Sequence, residues 1–174
     1  MRKLRYEEIQ QQHPTAEEVV RLQKPPVYVV VDNVRSLHNV GSIFRTADGA
    51  GIHTLYLCGI TGTPPRDEIR KTSLGAEEVV RWEYNTSAVN IVQKFKNQGI
   101  RIIVLEHTDE SIDFRSAEYQ LPLCLVIGHE HKGVSDEVVS LADLAIDIPM
   151  RGIKQSLNVS VAFGIAIYHI TGHC

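Results

Sequence analysis

Residues 27–31, 54–58, 101–105, 123–127 and 144–148 are five short apolar runs, rich in Val, Ile and Leu and set apart by polar or proline-containing segments. Most lack the in-and-out alternation of a strand with one wet face. Continuous runs of this length belong to strands buried on both sides. Between them lie segments with apolar residues at helical spacing, 39–50, 87–97, 135–141 and 156–170. Strands that alternate with helices predict an α/β fold with a mainly parallel sheet flanked by helices, because a parallel neighbour is reached only through a crossover.

The chain has 174 residues, of which 43% are hydrophobic, enough for one core. Residues 27–174 are therefore expected to form a single globular domain. Ahead of it, Thr15-Ala16-Glu17-Glu18 has capping-box spacing and opens a short helix that Pro25-Pro26 must end, since proline lacks an amide donor. An N-terminal helical arm over 1–26 is the expectation. No apolar stretch approaches the roughly 20 residues that span a bilayer, and the start of the chain is polar, so a soluble, cytoplasmic protein is expected. Cys58, Cys124 and Cys174 are far apart, and two of them lie within apolar runs. Buried free thiols in a reducing compartment are expected.

A net charge of −3 excludes a chain that coats nucleic acid by bulk positive charge. Any such contact must use local patches. Arg2, Lys3 and Arg5 form one candidate and Arg66, Arg70 and Lys71 another, though each reads equally well as solvated surface. The last helical segment is apolar on nearly every side, from Leu157 through Phe163 to Ile170. It must be covered by the core or by another subunit.

Ligands of parallel sheets collect at strand carboxyl ends, and three such junctions are unusual here. After the first strand, Asn39, Gly41 and Arg45 open a helix, with Gly41 and Arg45 on one face. The planar donor fork of Arg45 suits a phosphate or a ribose, and an ion pair with Asp48 is the simpler alternative. The fourth run leads into Gly128-His129-Glu130-His131-Lys132-Gly133, where glycine permits close backbone approach. His129 and His131 have no third ligand, so they are expected to be polar loop residues and no metal is expected. The fifth run leads through Pro149, Met150 and Gly152 to Ser156, an N-cap candidate, and to Asn158, a polar residue on an apolar helix that needs a partner. No G-x-G-x-x-G follows any strand, which excludes the usual dinucleotide-binding and Rossmann methyltransferase signature; P-loop and G-x-S-x-G motifs are absent too. On the residues alone, the chain is an α/β ligand-binding protein whose site is made by three strand ends.

In order and separation, these three segments resemble the motifs of the SpoU (TrmH-like) family of the SPOUT superfamily. Asn39, Gly41 and Arg45 match its N-x-G-x-x-x-R motif, Gly128, Glu130 and Gly133 match its G-N-E-x-x-G loop, and residues 148–162 match the third motif almost letter for letter. The stretch from Lys71 to Glu77 is also similar to one common in the family. The resemblance implies a C-terminal deep trefoil knot, an exception to the rule that connections do not thread loops. It implies S-adenosyl-L-methionine as cofactor, bound within the knot by Gly128, Ile148 and Leu157, with the segment Glu106-His107-Thr108 as a further wall. It also implies a homodimer that methylates a ribose 2′-hydroxyl in RNA.

Arg45 is the residue the family relates to that step. A guanidinium is a poor base, so holding the adjacent phosphate and stabilising developing alkoxide charge is the preferred role, with proton acceptance as the alternative. Asn39, Glu130, Ser156 and Asn158 match supporting positions. One departure is His129, where the family usually has asparagine. Only 26 residues precede the first strand, whereas some rRNA-modifying members carry an N-terminal RNA-binding domain, so tRNA is expected ahead of rRNA. The rival reading is a non-catalytic RNA-binding module of the same fold.

Overall fold

The computed structural model describes residues 1–172, so Cys174, expected as a buried thiol, lies outside the described residues. In chain order its elements are α1 (Tyr6–Gln10), α2 (Ala16–Arg21), β1 (Val27–Asp32), α3 (Leu37–Ala50), β2 (Thr54–Cys58), α4 (Asp67–Ser73), α5 (Ala76–Val79), β3 (Trp82–Asn85), α6 (Ala88–Asn97), β4 (Arg101–Leu105), β5 (Ile112–Asp113), β6 (Leu123–Ile127), α7 (Asp136–Val139), β7 (Leu144–Asp147) and α8 (Val159–Thr171). The strands form one sheet in the order β3-β2-β1-β6-β4-β7-β5, and every pairing is parallel.

The apolar runs are continuous because the sheet is covered on both faces. Val27, Val29, Val31, Leu55, Leu57, Leu123, Leu125 and Ile127 pack with α3 and α8 on one side. Val30, Tyr56, Cys58, Ile102, Val104, Cys124 and Val126 pack with α6 and α7 on the other. Successive residues of a strand point to opposite faces, so each run serves two cores at once. The chain winds outward from β1 to β3, then crosses to β4, and β6 later enters between β1 and β4. Such a reversal opens a crevice at the strand carboxyl ends.

Several expectations are corrected at element ends. The last helix starts at Val159 instead of residue 156, and its N-cap is Asn158, not Ser156. The Asn158 Oδ1 accepts from the Ser160 N–H at 2.9 Å and from the Ser160 hydroxyl at 2.7 Å, which meets orphan donors of the first turn and leaves Ser156 in the preceding loop. The segment expected over 135–141 contracts to α7, because Ser135 turns both its N–H and its hydroxyl to Asp32, at 2.9 and 2.7 Å. β7 ends at Asp147, one residue early, while α3 starts earlier than expected under the Ser36 cap. The Thr15 capping box forms as expected, although α2 already ends at Arg21, ahead of Pro25. The short elements α1, α4, α5, β3 and β5 were not anticipated; β3 is a sheet-edge strand with exposed Glu83 and Tyr84, so its pattern is mixed. Cys58 and Cys124 are buried free thiols, and burial pushes the Cys58 thiol up to about 12.

Gly41 is needed for a helix crossing. A Cβ there would run into the Ile69 carbonyl oxygen and Thr72 Oγ1 of α4, so α3 and α4 touch backbone to backbone. The Thr72 hydroxyl donates to the His38 carbonyl at 3.0 Å across the same contact.

Candidate active site

The carboxyl ends of β4, β6 and β7 and the loop before α8 enclose a cavity of about 190 Å³. Leu105, Ile127, Ile148, Leu157, Val159 and Ala162 make its apolar walls, while Glu106 and Asp147 supply acidic groups. Apolar walls with a few converging polar groups are the usual makeup of a small-molecule site. Flat aromatic surface fits the first feature and a cationic centre fits the second, so these residues fit the adenosyl and sulfonium parts of S-adenosylmethionine.

Beside the cavity, three distant segments meet in one hydrogen-bonded chain. Glu130 accepts from the Arg35 N–H at 3.0 Å, the Ser36 N–H at 2.9 Å and the Asn39 amide at 2.9 Å. The Asn158 amide donates in turn to the Asn39 Oδ1 at 3.0 Å. A carboxylate at the amino end of α3 also meets the positive end of the helix dipole. Burial alone would raise the Glu130 pKa, but the Arg35 and Ser36 amides together with Asn39 outweigh it and hold the carboxyl at about 2.

The two loop glycines serve the chain itself. A Cβ on Gly128 would strike the Gly133 and Val134 backbone, and one on Gly133, whose φ is 71°, would strike the Glu106 carboxylate. The close approach expected at Gly128 is therefore to its own loop, although Gly128 also lines the cavity. Glu106 accepts from the Val134 N–H and the His107 N–H, both at 2.9 Å, and so fixes the β6 loop against the end of β4.

Of the residues expected at the site, Gly128, Glu130, Ile148, Ser156, Leu157 and Glu106 line the cavity, and Asn39 and Asn158 join it through Glu130. Thr108 does not line it; its hydroxyl accepts from the Glu110 N–H at 3.2 Å and closes a turn. Arg45 is exposed further along the helix that carries Asn39, and among the described residues it makes no ion pair, with Asp48 or otherwise. His107, expected with Glu106 as part of that wall, does line the cavity; sequence reasoning missed Asp147, which lines it too, and the buried Asp32, which anchors Ser135. Each follows or ends a strand, and that position was the signal available. Among the described residues no group of three His, Cys, Asp or Glu side chains is arranged to hold a metal ion, and no helix is long and apolar enough to cross a membrane.

Residues 26–168 match the model of the SpoU rRNA Methylase family. The chain is 40% identical over 154 residues to a tRNA (guanosine(18)-2′-O)-methyltransferase of Aquifex aeolicus, covering 87% of this chain and 71% of that protein. Proteins of the same name from Thermus thermophilus and Escherichia coli are each 34% identical, and the chain spans 77% and 65% of their respective lengths. Among solved structures, an A. aeolicus TrmH/SpoU tRNA modifying enzyme superposes with a TM-score of 0.82 at 37% identity, covering 90% of this chain and 79% of that one. An AdoMet-bound rRNA methyltransferase from Sinorhizobium meliloti gives 0.80 at 28% identity, covering 89% and 60%.

Proposed function

The chain belongs to the SpoU rRNA methylase family, and from that membership we propose that it transfers a methyl group from S-adenosyl-L-methionine to a ribose 2′-hydroxyl of tRNA. The observation that carries the proposal is the chain Glu130–Asn39–Asn158, which ties the start of α3, the β6 loop and the start of α8 into one unit at the cavity rim. The relatives named for guanosine 18 of tRNA make that ribose the first target to test.

When bound in the cavity, the cofactor supplies the electrophilic methyl group. Gly128, Ile148 and Leu157 hold it, with Glu106 and Asp147 complementing its positive charge. Arg45 extends from the helix that Glu130 and Asn39 orient. Its guanidinium, without an internal ion partner among the described residues, grips the phosphate next to the target ribose and stabilises charge developing on the 2′-oxygen. Ser156, at the cavity mouth, and Asn158 orient the ribose. Fixing nucleophile and electrophile in line lowers the barrier through pre-paid orientation.

The proposal includes the knotted ending, supported by three loops that converge around the cavity before α8 returns to pack on α3. It includes a homodimer, supported by Val161, Ile165 and Tyr168 of α8, which are 50%, 38% and 56% exposed. A cytoplasmic site of action accords with the buried free thiols Cys58 and Cys124.

The test is transfer of labelled methyl to unmodified tRNA and rRNA, followed by nucleoside analysis, with Arg45→Ala run beside the parent. A 2′-O-methylguanosine product in tRNA that is lost in the variant is the expected result. Cofactor binding without transfer to any RNA would favour a non-catalytic binding module, and a methylated base would move the chain to another branch of the superfamily.

A further inference from the structure

The loop after β6 is closed from within by a histidine ring. The His131 N–H donates to His129 Nδ1 at 3.0 Å and the Lys132 N–H donates to the same atom at 3.4 Å. The His129 and Gly133 backbones exchange a pair of hydrogen bonds at 2.9 Å below it. A ring nitrogen accepts only through its free lone pair, so Nδ1 is the acceptor end of this ring. The residue inside this turn is Glu130, whose carboxylate organises Arg35, Ser36 and Asn39.

We propose that His129 is a positioning residue for methyl transfer, acting as the turn acceptor that aims Glu130. The proposal rests on the methyltransferase reading for its activity readout only. Nδ1 of histidine and Oδ1 of asparagine are both attached to Cγ, so an asparagine supplies the same acceptor.

The ring also stands beside the carboxylate that the turn carries: Glu130 Oε2 lies 4.0 Å from His129 Nδ1. Removing the ring frees the His131 and Lys132 amides and with them the backbone on either side of Glu130, whose side chain must reach three donors at the start of α3.

The experiment compares the parent with His129→Asn and His129→Ala in steady-state methyl transfer to unmodified tRNA, and follows the Arg35 and Ser36 amides by NMR without RNA. The asparagine variant should keep kcat within about twofold of the parent, while alanine lowers it about threefold or more with the cofactor KM little changed, since the two donors are exposed and water replaces the ring in part. The Arg35 and Ser36 amides, which donate to Glu130, should shift in His129→Ala and return toward the parent's positions in His129→Asn. Alanine as active as the parent, or Arg35 and Ser36 amides indifferent to it, would overturn the proposal. A parent that methylates no RNA would count against the proposed function alone, since the amide shifts still decide this one.

Discussion

The side-chain amide of Asn158 donates to the Asn39 Oδ1 across 3.0 Å, although the two residues stand 119 positions apart in the chain. Asn39 in turn donates to Glu130, so one asparagine joins the second helix cap of the site to its part-buried carboxylate. Three loops that fold from different parts of the sequence are held in register by two side-chain bonds.

Replacing Asn39 separates geometry from mere stability. Asn39→Ala leaves Glu130 with its two backbone donors but disconnects Asn158, and should cost about 1–3 kcal/mol, the range for stranding part-buried polar groups. Asn39→Asp sets a second carboxylate against Glu130 and should cost more than alanine at neutral pH. Chemical denaturation and kcat measured together check this; an aspartate variant as stable and active as the parent would remove Asn39 from the network.

Glu130 predicts an acid dependence with a definite sign. Its carboxyl is held at about 2 in the folded chain against an ordinary 4.5, a depressed pKa. The corresponding stability is fully present above about pH 4.5 and is lost as pH falls toward 2. Glu130→Gln should therefore be less stable than the parent at pH 7, and the gap should narrow on acidification through that window. Urea unfolding at pH 7, 4 and 3 reads the difference, and a gap that widens in acid would contradict the assignment.

At the crossing of α3 and α4, Gly41→Ala should destabilise by about 1–3 kcal/mol, the usual cost of overpacking, because backbone and not a flexible side-chain end occupies the space. Thermal melting gives the answer, and a variant that melts with the parent would mean that the helices part without penalty.

Exposed apolar surface on α8 leads to a prediction on assembly. Ile165→Asp puts a charge in the middle of the patch formed with Val161 and Tyr168 and away from the residues that α8 buries in the core, Phe163, Ala166, Ile167 and Ile170. Sedimentation should find a dimer for the parent and a monomer for the variant with its helix content intact. A parent that is monomeric and active at micromolar concentration would end the dimer proposal.

The sequence by itself determined the α/β architecture, since apolar runs that mostly lack alternation point to strands covered on both faces, and the helical segments between them point to crossovers. β2, β4 and β6 fall where the runs predicted because burial on both faces leaves no ambiguity of period. The edge strand β3 escaped notice because its exposed positions carry Glu83 and Tyr84, which no periodicity separates from a loop. The residues expected to carry chemistry were likewise legible as polar groups and glycines at strand ends. What only the tertiary structure decided is who meets whom. That Asn158 meets Asn39, that Gly41 faces α4, and that Glu130 reaches the amides of residues 35 and 36 all depend on contacts between segments some 30 to 120 positions apart. Local propensity carries no record of such contacts, because a hydrogen bond between distant side chains forms only after the sheet has brought its strand ends together.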